Sequence, residues 1–451
     1  MSNFNYKKYD NKYLGLFRTE KEQDFRRLFI GLDTLVKLKD GSETVSIGFD
    51  NGATTPSFKC VIDAIYENLL TYGSIGRGNG QKGEISSDRY EKSRDIVLKF
   101  FNLEDSSTHT VVYTKTATES LNLLANILIK NKSDKILTTR MEHHANDLPW
   151  RNTATVEYIE VDELGRIRLD DIENKLIANK GSIKYISITG ASNVTGYINP
   201  IQEVAKLAHK YGAKIIVDGA QLVAHKEVDM KGKDKSEVID FLVFSSHKAY
   251  SPFGSGAIVG LSEDLENVEP FLRGGGCVDC VLDDMVIWSE QPSLHEAGSP
   301  NFIGVMAMVT ALEKLKEIGL KNVYEHEREL KEYLIKEMKQ IDNVILYGDT
   351  ENTDDRIGVI PFNIKCNDKD CYDIAQILAD EYAIALRSGK FCAHPYVNRL
   401  LKISDSEAYE YNLNEDELGS LGMIRLSIGL YNTIEEAEIF LEALKRIAMD
   451  N

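Results

Sequence analysis

Residues 214–248 read KIIVDGAQLVAHKEVDMKGKDKSEVIDFLVFSSHK, and this stretch decides the fold class. It contains two short runs rich in β-branched and apolar residues, Lys214–Val217 and Phe241–Phe244, whose length is typical of buried strands. Asp218 directly follows the first run, and Lys248 follows closely after the second. Because ligands of open α/β sheets bind beyond the carboxyl ends of the strands, both side chains are candidates for a binding site.

The alternation of strand and helix extends on both sides of this stretch. Pro200 precedes a segment with helical periodicity, Ile201–Tyr211, and Gly212 follows that segment. This pattern predicts an α/β large domain with a mainly parallel seven-stranded sheet flanked by helices. The predicted strands are Val111–Tyr113, Lys135–Thr138, Val156–Val161, Tyr185–Thr189, Lys214–Val217, Phe241–Phe244 and Ala257–Val259.

Long amphipathic helices follow after about residue 310, which predicts a smaller α+β domain. The predicted helix Glu325–Gln340 carries Glu327 and Lys331, which we expect to pair on its solvent face. Thr433 and Glu436 form a capping box that predicts the start of the last helix.

Length and composition limit the class of protein. A chain of 451 residues predicts two domains, which we place at residues 45–310 and at residues 1–44 together with 311–451. The net charge of −18 argues against nucleic acid and anionic membranes as partners. No apolar run approaches the roughly 18 residues of a membrane span. The start lacks a secretory pattern, and six cysteines are too few for a disulfide scaffold, so we expect a soluble, cytoplasmic enzyme.

Polar residues at the strand ends suggest one ligand. The hydroxyl-rich segment Thr114–Ser120 opens a helix and suits a phosphate group, although simple N-capping explains it as well. Asp218 needs a cationic or hydrogen-bonded partner, or caps a helix, and Lys248 suits a nucleophilic amine. A phosphate, a cationic ring nitrogen and an aldehyde occur together in pyridoxal phosphate, which is therefore the predicted cofactor. Of the adjacent His143 and His144, one is expected to face the pocket, and no metal site is predicted.

Several segments in order resemble the class V, fold-type I pyridoxal-phosphate enzymes. Among these, the chain looks most similar to the Suf-type cysteine desulfurases and the selenocysteine lyases. The matching segments are Phe49–Pro56 (FDNGATTP), Thr116–Ser120 (TATES), Glu142–Asn146 (EHHAN), Ser192–Gly196 (SNVTG), Val217–Gln221 (VDGAQ) and Ser245–Lys248 (SSHK).

The resemblance implies a role for each matching residue. Lys248 would hold the cofactor as a Schiff base, and His143 would stack on its ring. Asp218 would pair with the ring nitrogen, Gln221 would bond the ring oxygen, and Asn193 would touch the ring region. The residues implied at the phosphate are Ala117, Thr118, Ser245 and His247, with Ser299 contributed by the partner subunit of a homodimer.

The resemblance also implies the reaction, in which L-cysteine yields L-alanine and a persulfide for transfer to a protein acceptor. Cys392 matches the sulfur-accepting position, and Arg387 and Lys390 could favour its thiolate by their positive charge. Arg425 matches the arginine that binds the substrate carboxylate, and Arg387 is a second candidate. The alternatives are a small buried hydrophobic role for Cys392 and a surface salt bridge for Arg425.

Other functions remain open at this stage. Lys390 and Phe391 stand where the Suf-type loop has histidines, so another class V activity is possible: selenocysteine lyase, aminotransferase or epimerase. The acidic segment Ser404–Leu418 is a lid, a docking loop or solvated surface. Cys277 and Cys280 form a CxxC motif that suits a redox pair or has no function, and zinc is disfavoured. A nucleotide-binding oxidoreductase is disfavoured because no Gly-x-Gly-x-x-Gly follows a strand.

Overall fold

A computed structural model describes residues 25–76, 79–104, 107–365, 369–414 and 421–449. The expected N-terminal arm before residue 25, Cys366 and residues 415–418 of the acidic segment lie outside the described residues.

The described residues form two compact units, and each is described by itself. The larger unit contains Cys60–Ser192 and Tyr197–Asn322. The smaller unit contains the residues up to Lys59, the short segment Asn193–Gly196 and the residues from Val323 onward. The domain limits expected at residues 45 and 310 stay a prediction.

The larger unit contains a seven-stranded sheet, as predicted. Gly256–Leu261 is antiparallel to both of its neighbours, and the other strands all run in one direction. Their carboxyl ends therefore lie at the same edge, which brings the polar segments that follow them together. In spatial order the strands are His109–Thr114, Gly256–Leu261, Phe241–Ser245, Lys214–Asp218, Ile183–Thr189, Lys135–Thr139 and Thr155–Ile159.

Helices accompany this sheet. Ile201–Lys210 begins after Pro200, and Gly212 follows with φ of +74°, as the sequence indicates. A hairpin of Val278–Val281 and Val286–Trp288 also belongs to this unit. Its other α-helices are Lys59–Leu70, Gln81–Phe100, Ala117–Leu128, Leu148–Thr153, Leu169–Ala178, Ser262–Leu265 and Phe302–Ile318, and short 3-10 turns span His144–Asn146, Ser246–Lys248 and Ser293–His295.

The smaller unit is α+β, as predicted. Its main sheet is antiparallel, in the order Val344–Leu346, Val359–Ile364, Met423–Ser427 and Arg387–Gly389. Two small pairs join Leu35–Lys37 to Glu43–Val45 and Ile47–Gly48 to Ile384–Ala385. Its helices are most of Leu320–Met338, then Cys371–Tyr382, His394–Leu400, Asp405–Leu413 and Ile434–Met449. Among the described helices of both units, none combines the length and apolar character needed to cross a membrane.

The expectation that Glu327 and Lys331 lie on the solvent face of their helix is wrong. The helix predicted at Glu325–Gln340 spans Leu320–Met338, and both Glu327 and Lys331 are buried on it. The Lys331 ammonium donates to the main-chain carbonyls of Thr353 and Arg356, the latter at 2.8 Å. The helix is therefore covered on a face that its charge pattern assigns to solvent. Burial also lowers the pKa of Lys331 to about 8.

The capping box of the last helix is confirmed. The Glu436 amide donates to the Thr433 hydroxyl, and the Thr433 amide donates to the Glu436 carboxylate.

Lys331→Met is expected to destabilise the smaller unit. The substitution keeps most of the apolar volume but leaves two main-chain carbonyls without their donor, which costs about 2 kcal/mol or more. Differential scanning calorimetry should show a lower unfolding temperature for this variant. Lys336→Met on the exposed side of the same helix is the matched control and should unfold near the wild-type temperature. Equal unfolding temperatures of the two variants would contradict the structural role of Lys331.

Candidate active site

Asp218 is a buried carboxylate at the carboxyl end of its strand. Its side chain is 4% exposed and accepts a hydrogen bond from the Ala220 amide at 3.0 Å. Burial raises the pKa of Asp218, while the Ala220 amide and the positive charge of Lys248 oppose that rise. Asp218 and Lys248 are therefore close enough to interact, as the sequence analysis requires. Burying the charged carboxylate costs free energy, and a further cationic partner would reduce that cost.

Lys248 ends a single 3-10 turn, Ser246–Lys248, that begins directly after the strand Phe241–Ser245. The neighbouring His247 is partly buried, and this burial together with the Lys248 charge lowers the pKa of His247 to about 4. His247 is thus neutral at physiological pH and offers hydrogen bonds rather than charge.

Ala117 and Ser245, two of the residues predicted to bind the phosphate, are hydrogen-bonded to each other. The Ala117 amide, at the start of the helix Ala117–Leu128, donates to the Ser245 hydroxyl at 2.7 Å. The hydroxyl of Thr116 caps this helix by accepting from the Glu119 amide, so N-capping accounts for that residue. Thr118 is exposed in the first turn of the same helix. Amides at a helix start suit an anion, and the phosphate role of these residues stays a prediction.

His143 begins the 3-10 turn that follows the strand Lys135–Thr139. Its Nδ1 accepts a hydrogen bond from the Ala145 amide at 3.1 Å, which orients the ring. A proton on Nε2 is implied when the imidazole is neutral, because Nδ1 acts as the acceptor.

Glu142 is a functional candidate that the sequence analysis did not select. Its buried carboxyl accepts hydrogen bonds from the Thr139 hydroxyl at 2.6 Å, the Asn146 amide at 2.6 Å and the Thr189 main chain at 3.0 Å. Burial raises the pKa of Glu142 to about 8, these hydrogen bonds oppose the rise, and the negative charge of Asp218 adds to it. Its position directly before His143 in the EHHAN segment was the available signal.

Gln221 and Ser299 complete the predicted set in the larger unit. Gln221 is buried, three residues beyond Asp218. Ser299 is exposed between Gly298, with φ of +96°, and the helix Phe302–Ile318. Glu296 holds the segment before Ser299, because its carboxylate accepts hydrogen bonds from Arg94 at 2.8 Å and from the Tyr90 hydroxyl at 2.8 Å. This role of Glu296 was not predicted from the sequence.

Arg425 lies on the strand Met423–Ser427 of the smaller unit, with only 3% of its surface exposed. Its guanidinium donates to the Asp50 carboxylate at 2.8 Å and to the Asn193 carbonyl at 3.0 Å. Its Nε has no hydrogen-bond partner among the described residues. Burial lowers the pKa of Arg425 and Asp50 opposes this effect. The alternative of a surface salt bridge is therefore wrong, because the arginine is buried and retains an unused donor.

Cys392 lies in the loop that follows the strand Arg387–Gly389, and its side chain is exposed. The alternative of a small buried hydrophobic residue is therefore wrong. Phe391 and Cys392 both have left-handed backbones, with φ of +51° and +54°, an uncommon conformation for residues with side chains. Cys392 and Arg387 both interact electrostatically with Arg425, and Arg387 lies directly opposite Arg425 on the neighbouring strand.

Asn193 connects the Cys392 loop to Arg425. Its side-chain amide donates to the Phe391 carbonyl at 2.8 Å, while its own carbonyl accepts from Arg425. The guanidinium also lies 5.2 Å from the centroid of the Phe391 ring. Arg425, Asn193 and the Cys392 loop thus form one connected group in the smaller unit.

A comparison with known families gives a match to the model described as class-V aminotransferase, over residues 47–440. The chain belongs to the class-V aminotransferase family. The resemblance inferred from the sequence is thereby confirmed, as is the prediction that this is a class V enzyme. The match includes the segments that contain Asp218, Lys248, Cys392 and Arg425.

Curated relatives have similar lengths. A probable cysteine desulfurase from Pyrococcus abyssi is 35% identical over 410 residues, which cover 89% of this chain and 94% of that protein. A probable cysteine desulfurase from Halalkalibacterium halodurans is 33% identical, with coverage of 87% and 94%. A cysteine desulfurase from Escherichia coli is 33% identical, with coverage of 88% and 92%.

Solved structures confirm the predicted fold type. The apo structure of a cysteine desulfurase from Thermococcus onnurineus aligns with a TM-score of 0.78 at 32% identity, covering 90% of this chain and 95% of that one. The cysteine desulfurase CsdA (S-sulfonic acid) from Escherichia coli aligns with a TM-score of 0.77 at 26% identity, covering 96% and 99%.

The CxxC motif lies before and within the hairpin of the larger unit. Cys277 is buried and its thiol lies 3.1 Å from the Gly274 carbonyl, whereas Cys280 is partly exposed. Both are free thiols. Within the described ranges no group of three or more His, Cys, Asp or Glu side chains is arranged to hold a metal ion.

Glu142 is expected to make stability fall as pH rises from about 5 to about 8. The folded carboxyl keeps its proton up to its raised pKa of about 8, whereas the unfolded one loses it near the ordinary glutamate pKa of 4.5. The native state thus binds more protons in this window, which lowers the free energy of unfolding by on the order of 1 kcal/mol per pH unit. Glu142→Gln should weaken this dependence in calorimetric unfolding profiles.

Glu163→Gln is the control for this measurement, because Glu163 is exposed in the same unit. The stability of this variant should depend on pH in the same way as that of the wild type. Parallel profiles of Glu142→Gln and wild type across this range would show that Glu142 does not carry the proton.

Proposed function

We propose that this protein is a pyridoxal-phosphate-dependent cysteine desulfurase. It converts L-cysteine to L-alanine and keeps the released sulfur as a persulfide on Cys392. The observation that carries the proposal is the exposed thiol of Cys392 in the same connected group as the buried Arg425. The printed names of its relatives, which are cysteine desulfurases, support the same reaction.

The side chains of the larger unit suit pyridoxal phosphate. A cationic ring nitrogen would relieve the cost of burying Asp218, and the nearby Lys248 amine would bind the aldehyde. When bound, this cofactor supplies an electron sink for negative charge on the substrate Cα. We assign the phosphate to the Ala117 amide, Ser245 and His247, with Thr118 at the exposed side.

The remaining predicted contacts belong to the same proposal. His143 is oriented by the Ala145 amide and would pack on the cofactor ring. Gln221 would donate to the ring oxygen, and Asn193 would contact the ring region.

Arg425 would bind the substrate carboxylate. A planar guanidinium suits a carboxylate, and the ion pair to Asp50 orients the group and favours its charged form. Arg387, opposite it on the sheet, adds positive charge that would attract the substrate carboxylate.

Lys248 would transfer a proton, and Cys392 would accept the sulfur. The Lys248 amine would take the proton from the substrate Cα, because it is released once the substrate amine has bound. The Cys392 thiolate would attack the substrate sulfur, so that a bond forms between the two sulfurs and the bond from sulfur to Cβ breaks. The electron pair of the broken bond would stay with the carbon skeleton, which takes up a proton at Cβ and one at Cα before alanine leaves, and the persulfide stays on Cys392.

We further propose a cytoplasmic homodimer in which Ser299 serves the partner's phosphate site. Ser299 is exposed, which suits a hydroxyl offered to a second copy. An aminotransferase or epimerase would need no exposed thiol, so Cys392 favours desulfurase chemistry over these alternatives.

Cys392→Ser is expected to abolish the formation of alanine and persulfide from L-cysteine, because a hydroxyl cannot accept the sulfur. Alanine release and the intact mass of the protein measure the two products. Cys280→Ser, a second thiol outside the loop, should keep wild-type turnover. Undiminished alanine release by Cys392→Ser would contradict the desulfurase proposal and favour another class V activity.

Asp50→Asn is expected to raise the KM for L-cysteine about tenfold, because one charge-assisted hydrogen bond that orients Arg425 is weakened. The value of kcat should change less, since the thiol and the lysine are unaltered. Steady-state kinetics measure both constants, with exposed Asp40→Asn as the control. A loss in kcat at constant KM would assign Asp50 to the chemical step instead.

A further inference from the structure

The turn that contains Cys392 has an unusual backbone. The Ala393 amide donates to the Lys390 carbonyl at 2.8 Å, so Phe391 and Cys392 are the two central residues of a β-turn. Both have positive φ, of +51° and +54°, which is the pattern of a type I′ turn. Such turns favour glycine, asparagine and aspartate, because other side chains are strained at positive φ. A turn made of phenylalanine and cysteine therefore needs contacts from the surrounding structure to hold it.

Two side-chain hydrogen bonds hold the chain on either side of Cys392. Before it, the Asn193 side-chain amide donates to the Phe391 carbonyl at 2.8 Å. After it, the hydroxyls of Thr195 and Tyr396 form a hydrogen bond at 3.0 Å. Neither Thr195 nor Tyr396 has exposed surface, so water does not compete for this bond. The thiol is thus enclosed between two bonds to residues that are only two positions apart.

The segment Asn193–Gly196, which we call the support segment, is itself fixed within the smaller unit. The buried Arg356 guanidinium donates to the Thr195 carbonyl at 2.7 Å, and the Ile357 amide donates to the Gly196 carbonyl at 2.9 Å. Gly196 has φ of +77°, and a Cβ atom there would lie 2.9 Å from the Ile357 carbonyl oxygen. The close approach of these two chains leaves the support segment little freedom to move.

The support segment also holds Arg425. The Asn193 carbonyl accepts from the Arg425 guanidinium at 3.0 Å, while the Asn193 side chain holds Phe391. The residue proposed to bind the substrate carboxylate and the thiol proposed to accept the sulfur are therefore attached to the same four residues. Attack on the substrate sulfur requires the thiol to lie close to it and in line with the breaking bond. The support segment is placed to set that alignment.

We propose that Thr195 and Tyr396 are positioning residues for the sulfur-accepting thiol. Their hydrogen bond fixes the chain that follows Cys392, as Asn193 fixes the chain before it. Both residues act through the main chain of the turn, which they hold in its left-handed conformation relative to a substrate bound at Arg425. The proposal rests on the proposed function, because that reaction gives Cys392 its role.

Tyr396→Phe removes one hydroxyl and keeps the buried ring. We expect kcat for alanine release from L-cysteine to fall about fivefold, the factor that corresponds to one net hydrogen bond. The KM should change little, since Arg425 keeps its bonds to Asp50 and Asn193. Steady-state kinetics of the holoenzyme measure both constants. A kcat equal to that of the wild type would overturn the proposal.

Tyr333→Phe is the matched control. Tyr333 is half-buried on the helix Leu320–Met338 of the same unit, and its hydroxyl donates to the Glu438 carboxylate at 3.5 Å. The variant loses the same group from a different part of the unit and should keep the wild-type kcat. An equal fall in kcat for Tyr333→Phe and Tyr396→Phe would contradict a role that depends on the Cys392 turn.

A double-mutant cycle tests the hydrogen bond itself. Thr195→Val replaces the other hydroxyl by a methyl group of similar shape and should lower kcat by a similar factor. If the bond between the two hydroxyls positions the thiol, the double variant Thr195→Val/Tyr396→Phe should be no slower than either single variant. Effects that multiply to about 25-fold would show that the two residues act independently and would contradict the proposal.

A reaction that needs Lys248 but not the thiol separates positioning from general damage to the enzyme. In the proposed reaction, exchange of the Cα hydrogen of L-alanine with D2O depends on the Lys248 amine and does not involve Cys392. This exchange, followed by NMR, should have the wild-type rate in Tyr396→Phe. If exchange fell as much as alanine release, the variant would have disturbed the cofactor site, and a role specific to the thiol would be refuted.

Amide hydrogen exchange gives a measurement that does not depend on activity. The peptide that contains Lys390–Ala393 should exchange faster in Tyr396→Phe than in the wild type or in Tyr333→Phe, because the turn opens more often. A wild-type holoenzyme that forms no persulfide would refute the proposed function. Normal persulfide formation by the wild type, with the same kcat and the same amide exchange in Tyr396→Phe, would refute the positioning role alone.

Discussion

The proposed cofactor site depends on one electrostatic interaction, between the buried carboxylate of Asp218 and the amine of Lys248. Burial alone makes the carboxylate costly, and the positive charge of Lys248 relieves only part of that cost. Both residues follow neighbouring parallel strands, so the sheet brings them to one edge. A cationic ring with an aldehyde matches both groups together, which is why this pair, rather than either residue alone, supports the proposed cofactor.

The smaller unit contributes a different kind of site. Arg425 is held by Asp50 and by the Asn193 carbonyl, and the Asn193 side chain in turn holds the main chain beside Cys392. The group that would bind the carboxylate and the group that would accept sulfur are thus parts of one hydrogen-bonded network. Phe391 and Cys392 have left-handed backbones, the Phe391 carbonyl accepts the hydrogen bond from Asn193, and the Cys392 side chain is exposed.

Structural features that depend on residues close together in the sequence could be predicted from local patterns. The strand ends at Asp218 and Lys248, the α/β sheet and the capping box of Thr433 follow from periodicity and short motifs. The ion pair between Asp50 and Arg425 spans most of the chain and could not be read from spacing. Lys331 was misassigned to solvent because charge periodicity does not reveal the main-chain carbonyls that pack over a helix from distant segments.

Peptide mapping after borohydride reduction of the purified holoenzyme tests the central claim most directly. Reduction fixes the cofactor to the amine that holds it, and mass spectrometry then identifies the labelled residue. We expect a pyridoxyl group on Lys248 and a loss of the label from that peptide in Lys248→Ala. A label on another lysine, or a protein that retains no pyridoxyl group at all, would contradict the pairing of Lys248 with Asp218 around one cofactor.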